Sequence, residues 1–211
     1  MLKHARGVKM SDIMSISRLR MGTDGKGVTT LVGFHGCPLF CKYCANDHCH
    51  RTDMKRADYT PEELISVLSI DEPYFMMTGG GVTFGGGEPL VQAEFIHEVC
   101  LKMKKAWRRT IETSLYAPWK DVELLVHDID YWYIDIKDID NEIYKSYTGK
   151  SNEGVIDNLK KLLKIVSPDK ICIRMPLIPG YNTEDSRRQG IDFIANEISS
   201  KVSLDLFRYI R

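Results

Sequence analysis

The chain alternates between segments with the period of a β-strand and segments with the period of an α-helix, and this alternation limits its fold more than any other feature. The strand-like segments read VTTLVGF, GVTFGG, RRTIETS, YWYIDIKD, KICIRMPLIP and VSLDLFRYI. Amphipathic segments such as QAEFIHEVCLKMKKA and GVIDNLKKLLKIV lie between them. Strands that alternate with helices form parallel sheets with right-handed crossovers. Roughly six such units therefore predict an α/β fold, either an open doubly wound sheet or an incomplete α/β barrel.

Length and composition are those of an ordinary globular domain. The 211 residues are 43% hydrophobic and 27% charged. No stretch is apolar over the roughly 18 residues that a membrane span needs. We expect one domain over residues 1–211, with a short N-terminal extension at 1–14.

Charge and cysteine content argue against several classes of function. The 29 basic and 29 acidic residues balance, so nothing electrostatic favours a nucleic acid or an anionic membrane as a partner. The N-terminus MLKHARGVKM lacks the apolar core of an export signal. We therefore expect a cytoplasmic chain whose six cysteines are thiols or metal ligands. Two of these, Cys100 on an apolar helix face and Cys172 within a strand, are interpreted as buried small hydrophobic residues.

Chemically distinctive residues follow the predicted strands at the ends where the active sites of α/β folds lie. They are Cys37 after the first predicted strand, Glu88 after the second, Glu112 to Ser114 on the third, Asp135 and Lys137 on the fourth, and Arg174 on the fifth. Asp135 and Lys137 are two residues apart, so on a strand they share one face. Two charges on an apolar strand are costly unless they pair or bind a ligand, and either is compatible with the sequence.

The segment GFHGCPLFCKYCAND places three cysteines, Cys37, Cys41 and Cys44, within eight residues. Thiolates are soft ligands that bind zinc and iron–sulfur clusters. Zinc sites usually combine two separate Cys-x2-Cys pairs, but this chain has a single tight group. Cys49, which is flanked by His48 and His50, could supply the fourth ligand of a closed structural site. Alternatively the fourth position stays open, as it does in catalytic metal centres.

The spacing Cys37-x3-Cys41-x2-Cys44, with the aromatic Tyr43 before the last cysteine, resembles the cluster motif of radical S-adenosylmethionine (SAM) enzymes. In that family the three thiolates hold a [4Fe–4S] cluster and SAM binds the fourth iron. One electron from the cluster then cleaves SAM to methionine and a 5′-deoxyadenosyl radical. The resemblance implies the incomplete (β/α)6 TIM-like barrel of that family, with Tyr43 beside SAM.

The glycine-rich run GGGVTFGGGEPL ends a predicted strand with Gly86, Gly87 and Glu88. It does not fit the G-x-G-x-x-G pattern, because Phe84 stands where a glycine is required, and no Lys-Ser/Thr pair follows as in a P-loop. Glycines let backbone groups approach a ligand, and a nearby carboxylate can accept from an ammonium group. The run resembles the GGE motif of radical SAM enzymes, which binds the SAM amino group through backbone carbonyls and the glutamate.

Three longer strings resemble the activating enzymes of glycyl radical enzymes, the pyruvate formate-lyase activase group, from about Ser15 to the C-terminus. They read MGTDGKGVTTLVGFHGC, DIKDIDNEIYKSYTGKSNEGVIDNL and IRMPLIPGYNTEDS. In that group an Asp-x-Lys pair, matched here by Asp135 and Lys137, lies near SAM. The aspartate helps a monovalent cation site and the lysine reaches the SAM carboxylate. Arg174 matches an arginine that approaches SAM, and Asn46 matches a frequent asparagine after the third cysteine.

The chain departs from the group's pattern at two places. Where the group has Asp-Thr-Ser-Gly, the third predicted strand reads Glu112-Thr113-Ser114-Leu115. The longer carboxylate and the lost glycine weaken the case for a monovalent cation, whereas polar contacts from Glu112 and Ser114 to SAM remain expected. The group's Pro-Tyr-His after the last strand is replaced by LFRYIR, so the histidine contact to SAM is either missing or supplied otherwise.

The resemblance implies an activase that removes a Cα hydrogen from one glycine of a partner glycyl radical enzyme. A flavodoxin or ferredoxin would deliver the electron, and the activase would act as a monomer in an anaerobic cytoplasm. One cluster is expected, because the chain lacks the additional cysteines of a ferredoxin-like insert.

Two alternatives stay open. The first is a radical SAM enzyme that acts on a small molecule, similar to 7-carboxy-7-deazaguanine synthase, against which the Thr148-Gly149 string argues. The second is a non-catalytic zinc or iron–sulfur domain closed by Cys49.

Overall fold

The computed structural model describes residues 10–53 and 56–209. Its strands are β1 Ser11–Met21, β2 Val28–Phe34, β3 Ala57–Tyr59, β4 Gly81–Gly86, β5 Arg108–Thr113, β6 Tyr131–Asp135, β7 Ile171–Leu177 and β8 Ser203–Arg208. Its α-helices are α1 Pro61–Leu68, α2 Glu72–Thr78, α3 Ala93–Lys102, α4 Trp119–Leu125, α5 Asn141–Thr148, α6 Glu153–Leu162 and α7 Glu184–Phe193. Short 3-10 helices span Asp47–His50, Ser69–Asp71, Pro89–Gln92 and Pro168–Lys170, and a π-helical turn, Ile194–Ile198, extends α7.

All eight strands form one sheet in the order β3-β1-β2-β4-β5-β6-β7-β8. The strands from β2 to β8 pair in parallel, and β1 and β3 are antiparallel additions at one edge. The parallel strands follow one another in chain order without the reversal that defines a doubly wound sheet. Within the described ranges the edges β3 and β8 do not pair with each other. The predicted α/β fold with an incomplete six-stranded parallel barrel is therefore confirmed.

The two faces of the sheet differ sharply in polarity. Ile111, Trp132, Ile134 and Ile173 are fully buried in the apolar core, which also includes buried side chains from α1, α3, α4 and α6. Because side chains alternate along a strand, the intervening residues face the inside of the partial barrel. These inward residues are Thr83, Thr110, Glu112, Tyr133, Asp135 and Arg174.

The loop between β1 and β2 covers part of this inner face. The Thr83 hydroxyl donates to the carbonyl of Asp24, at 2.6 Å. A Cβ on Gly25 would lie 3.3 to 3.8 Å from side-chain atoms of Thr29, Thr110 and Thr83. This loop therefore lies against the N-terminal half of the strands and leaves their C-terminal ends uncovered. No helix in residues 10–53 and 56–209 is long and apolar enough to cross a membrane.

Helix start signals in the sequence have the expected structural effect. Thr60 and Glu63 form a reciprocal capping box at the start of α1, where Pro61 is the first helical residue. Thr183 caps α7 by accepting from the backbone N–H of Ser186.

The structure corrects the sequence interpretation at three places. Residues 11–14 of the expected extension belong to β1, where Ile13 pairs with Phe34, while residues 1–9 lie outside the described part. Helix α2 follows α1 in a segment for which the sequence predicted no second helix. Strand β6 ends at Asp135, so Lys137 lies just beyond it, although the N–H of Ile136 still donates to the carbonyl of Arg174. The single-domain organisation stays a prediction.

A buried carboxylate ties the antiparallel strand β1 to the rest of the fold. Asp71, which is 2% exposed, accepts three side-chain hydrogen bonds of 2.6 to 3.1 Å from Arg18 of β1. It also accepts one of 2.7 Å from the hydroxyl of Thr30 on β2.

We expect Asp71→Ala to lower the free energy of unfolding by about 2 to 3 kcal/mol, because it leaves the buried Thr30 hydroxyl without its acceptor and Arg18 without its carboxylate. Urea denaturation followed by circular dichroism measures this change. The matched control is Asp58→Ala on the exposed strand β3, for which we expect a change within about 0.5 kcal/mol. Equal stabilities of the two variants would show that Asp71 does not hold β1 in place.

Candidate functional site

The cysteine loop, residues 35–46, lies at the C-terminal ends of the parallel strands. It follows β2 directly, and backbone hydrogen bonds fix it to the end of α5. The N–H of Phe40 donates to the carbonyl of Thr148 at 3.0 Å, and the N–H of Lys42 donates to that of Tyr147 at 3.1 Å. The string around Thr148, which stood out in the sequence, thus helps to position the loop.

A cleft beside this loop collects residues from five segments of the chain. It encloses about 660 Å³, part of which is open to solvent. Its lining residues are Cys37, Leu39, Cys41, Cys44, Ala45, Asn46, Gly86, Gly87, Glu88, Glu112, Thr113, Ser114, Asp135, Lys137 and Tyr209. The predicted convergence is therefore observed for the ends of the first four predicted strands.

Two of the residues predicted to contact the cofactor, Tyr43 and Arg174, do not line the cleft. Tyr43 packs against Tyr181 and Tyr209, with ring centroids 6.1 Å apart in each case. Arg174 lies behind the lining and contacts two of its three carboxylates, Glu112 and Asp135.

Gly86 and Gly87 are needed for the close approach of β4 to the start of the cysteine loop. Gly86 has φ of +97°, and a Cβ there would lie 2.6 Å from the Cα of Gly33 and the N of Phe34. A Cβ on Gly87 would lie 2.1 Å from the carbonyl oxygen of Gly36. The glycines therefore serve packing of chain against chain, in addition to any access they give a ligand.

Glu88 is 1% exposed and its carboxylate accepts four hydrogen bonds. One oxygen accepts from the Thr113 hydroxyl at 2.6 Å and from the N–H of Leu90 at 3.1 Å. The other accepts from the hydroxyl and the N–H of Ser114, at 2.6 and 2.9 Å. Burial raises the pKa of Glu88, and these four donors oppose that rise. The side chain thus joins the ends of β4 and β5, and its acceptor positions are filled by the protein.

Four charged side chains of alternating sign form a row along the inner face: Glu112, Arg174, Asp135 and Lys137. Arg174 Nη2 lies 2.7 Å from Glu112 Oε1, and Arg174 Nε lies 3.2 Å from Asp135 Oδ1. Lys137 Nζ donates to Asp135 Oδ2 at 2.9 Å. Burial raises the pKa of Asp135, but Lys137 and Arg174 outweigh it and hold that pKa below its usual value. Asp135 and Lys137, the two charges predicted on the fourth strand, thus form an ion pair. The pair belongs to a row of four charges, which is larger than the sequence indicated.

Cys49 is fully buried and does not line the cleft. A hydrogen bond from its thiol lowers the pKa of Cys44 to about 6, whereas burial raises the pKa of Cys37 to about 12.

The two histidines that flank Cys49 contact other residues. His50 stacks on Phe40 with ring centroids 4.5 Å apart, and His48 lies 3.7 Å from Asp47. Cys100 and Cys172 are buried, as expected.

The donor chemistry fits an iron–sulfur cube. Cys37, Cys41 and Cys44 line one cleft. A cube attaches each of its thiolate ligands to a different iron. These three cysteines therefore fit a cluster that keeps one iron free of protein ligands.

Sequence reasoning missed Tyr209 of the cleft and assigned no contact to Thr113 or Asn46. Thr113 was treated as part of a pattern only, and its bond to Glu88 joins residues 25 positions apart, which no local pattern reveals. Tyr209 directly follows β8, and its N–H donates to the carbonyl of Leu177 at 3.1 Å, which places the residue at the cleft. Asn46, a weak signal in the sequence, donates to the carbonyl of Gly86 at 2.9 Å.

Comparison with known proteins gives close relatives in sequence. The profile of the Radical SAM superfamily matches residues 31–188, well over half of the chain. The (2S)-3-sulfopropanediol dehydratase activating enzyme of Klebsiella oxytoca is 37% identical over 153 residues, which are 71% of this chain and 48% of that protein. The chain thus spans about half the length of that relative. The pyruvate formate-lyase-activating enzyme of Clostridium pasteurianum is 37% identical over 202 residues, which are 95% of this chain and 82% of that protein.

Solved structures agree with this relationship. A domain of a pyruvate-formate lyase-activating enzyme from Bacteroides vulgatus superposes with a TM-score of 0.51 at 27% identity, over 61% of this chain and 78% of that chain. Streptococcus suis SuiB bound to S-adenosylmethionine superposes with a TM-score of 0.63 over 86% of this chain and 42% of that chain. At 16% identity the second match shows the fold alone. The resemblance to the activating enzymes of glycyl radical enzymes is confirmed, and the chain belongs to the radical SAM superfamily.

Proposed function

We propose that the protein is a radical SAM activase that removes a Cα hydrogen atom from a glycine of a partner glycyl radical enzyme. The observation that carries this proposal is the meeting of three cysteines, the glycine turn at Gly86 and Gly87, and the charged row in one cleft. The relatives that are 37% identical are named as activating enzymes, which supports the same activity here.

Cys37, Cys41 and Cys44 would hold the [4Fe–4S] cluster, and the cleft in front of them would hold SAM. When bound there, cluster and SAM supply one-electron chemistry that ends in removal of a hydrogen atom. The chain's own residues position this chemistry. The bonds from Phe40 and Lys42 to the end of α5 fix the loop, and Leu39, which is 2% exposed, closes the cleft wall beside the cysteines.

The SAM-facing residues of the proposal are Gly86, Gly87, Glu112, Ser114, Asp135 and Lys137. Lys137 is 8% exposed in the cleft, and its ammonium is the cation best placed to meet a carboxylate ligand.

Glu88 has a different role in the proposal from the one that the sequence indicated. Since its oxygens already accept four bonds, we assign it to holding Ser114 and Thr113 rather than to binding an ammonium group. Arg174 acts through Glu112 and Asp135, and Tyr43 supports Tyr209.

A peptide substrate could reach this cleft because the partial barrel is open. The strand β8 is an exposed edge that does not pair with β3 in the described sheet. We therefore propose a protein loop as the substrate and a flavodoxin or ferredoxin as the electron donor. The activase would act as a monomer in an anaerobic cytoplasm, since a cluster with an open iron is sensitive to oxygen.

A monovalent cation stays outside the proposed mechanism. The two carboxylates that could bind it, Glu112 and Asp135, both contact Arg174. The hydroxyls of Thr113 and Ser114 both donate to Glu88.

We expect Gly87→Ala to separate β4 from the cysteine loop, because its Cβ would overlap the Gly36 carbonyl oxygen at 2.1 Å. The predicted cost is about 2 to 3 kcal/mol in the free energy of unfolding, with loss of most iron after anaerobic reconstitution. Iron analysis and visible absorbance measure the cluster. Gly154→Ala is the control, since its Cβ would meet nothing within 4 Å. A Gly87→Ala protein with full iron content would show that the close approach is dispensable.

Single substitutions distinguish the cysteines that would bind the cluster from those that would not. We expect Cys41→Ala to lose the cluster and SAM cleavage, because one iron loses its thiolate. Cys49→Ala and His48→Ala should keep a brown protein that cleaves SAM, because neither residue lines the cleft and the Cys49 thiol contacts Cys44 only as a hydrogen-bond donor. Chromatography of 5′-deoxyadenosine measures cleavage. Loss of the cluster in Cys49→Ala would favour the closed-site alternative, and retention in Cys41→Ala would contradict the proposal.

Activation itself is tested by electron paramagnetic resonance. We expect reduced protein, SAM and the matching glycyl radical enzyme to give a protein-bound glycyl doublet, because the hydrogen comes from a glycine Cα. The Cys41→Ala variant with the same partner should give none. If no glycyl radical enzyme of the source organism gives a glycyl doublet while SAM is still cleaved, the small-molecule alternative is favoured.

A further inference from the structure

The arrangement of Arg174 differs from what a cation-binding site requires. Glu112 and Asp135 come from neighbouring strands and line the cleft together. The Arg174 guanidinium contacts one oxygen of each, at 2.7 and 3.2 Å. An arginine guanidinium keeps its charge at every pH at which proteins are folded. Two carboxylates that would otherwise repel each other thus share a permanent positive charge.

The contacts of Arg174 are those of a counter-ion rather than of a hydrogen-bonding fork. Glu112 Oε1, Asp135 Oδ1 and Arg174 Nε are buried, yet none of the three makes a hydrogen bond of good geometry with a described residue. Their interaction is therefore mainly Coulombic, which does not depend on direction. The Tyr133 ring, on strand β6 between β5 and β7, lies 4.7 Å from the guanidinium carbon of Arg174. This cation–π contact helps to hold the guanidinium in place.

The hydroxyls of Thr113 and Ser114, which lie near the strand ends, are occupied by hydrogen bonds. The Thr113 hydroxyl donates to Glu88 and accepts from the N–H of Leu115, at 2.6 and 2.9 Å. The Ser114 hydroxyl donates to Glu88 at 2.6 Å and accepts from the N–H of Tyr116 at 3.3 Å. Alkali cations need several oxygen ligands with free lone pairs, so these two hydroxyls are poor ligands for such a cation.

Charge balance leads to the same conclusion. Glu112 and Asp135 carry two negative charges, and Arg174 and Lys137 carry two positive ones. The row is therefore neutral before any ligand enters, since Arg174 and Lys137 already balance the charge of its two carboxylates.

We propose that Arg174 is the built-in counter-cation of the cleft, seated between Glu112 and Asp135, and that cofactor binding in this protein is independent of monovalent metal cations. The inference depends on the proposed function in one respect only, that SAM is the ligand of the cleft.

The first experiment measures the dissociation constant of SAM by equilibrium dialysis on the anaerobically reconstituted protein. Buffers of equal ionic strength contain potassium, sodium or choline chloride, so that screening is the same in each. We expect values that agree within about twofold across the three salts. Binding about tenfold tighter in potassium or sodium than in choline would overturn the inference. Absence of SAM binding in every salt, with the cluster in place, would instead count against the proposed function.

Substitution of Arg174 supplies the matched variants. In Arg174→Gln the two carboxylates lose their shared cation, so we expect SAM binding in choline to weaken about tenfold and potassium or sodium to restore it. The double variant Glu112→Gln/Arg174→Gln removes one charge of each sign and should bind SAM equally in all salts. Unchanged binding by Arg174→Gln in choline would contradict the counter-ion role. If Arg174→Gln binds SAM in no salt and the double variant does not recover, Arg174 contacts the cofactor directly and the inference fails.

A second readout does not need SAM. The thermal unfolding midpoint of the wild-type protein should be the same in the three salts, whereas that of Arg174→Gln should be higher in potassium or sodium than in choline, because a bound ion stabilises the folded state. A wild-type midpoint that rises with an alkali cation would overturn the inference even if SAM does not bind. Iron content, measured in parallel, shows that each variant still assembles its cluster.

Discussion

The buried carboxylate of Glu88 is the interaction on which the rest of the site depends. A carboxylate without partners in a dry interior is costly, and only several strong hydrogen bonds offset that cost. Glu88 receives four of them, two from side-chain hydroxyls and two from backbone N–H groups. The donors belong to Leu90, Thr113 and Ser114, so the carboxylate fixes the exit of β4, the start of the following 3-10 helix and the exit of β5 together. The cleft has its shape because these three segments cannot move apart without leaving Glu88 unpaired.

The same constraint explains why glycines precede Glu88. For its carboxylate to reach Thr113 and Ser114, the end of β4 must pass against the loop that follows β2, and no side chain fits at Gly86 or Gly87. The N–H of Gly87 donates to the carbonyl of Phe34 at 2.8 Å, and that of Glu88 to Gly36 at 2.9 Å. These bonds bring the cysteine loop and the glycine turn into one unit. Cysteines and glycines that are far apart in sequence thus form neighbouring walls of one cleft.

The sequence predicts the part of this architecture that depends on local periodicity. The six parallel strands follow from alternating patterns, whereas their order stays open between a doubly wound sheet and a barrel until the family resemblance favours the barrel. The strand ends identify most of the cleft, including Cys37, Glu112 and Lys137. Strand β1 is not predicted, because Arg18 and Arg20 make its sequence resemble a solvent-exposed segment. Their ion-pair partners, Asp71 and Asp24, can be identified only from the three-dimensional structure. Helix α2 is seven residues long, too short for a periodic signal. The bonding of Glu88 and the sharing of Arg174 depend on contacts between distant segments, which one sequence does not encode in any local pattern.

Leu115 shows how the chain accommodates a leucine where the motif that its sequence resembles has glycine. Its φ of +57° is left-handed, a conformation that costs a residue with a side chain about 1 to 2 kcal/mol. The leucine side chain is fully buried, which contributes about 2 kcal/mol that a glycine could not. Asn158 donates to the carbonyls of Leu115 and Ala117, at 3.0 and 2.8 Å, and holds the turn from outside. Burial and these two bonds together outweigh the strain, so the end of β5 stays in place without glycine and Ser114 remains in reach of Glu88.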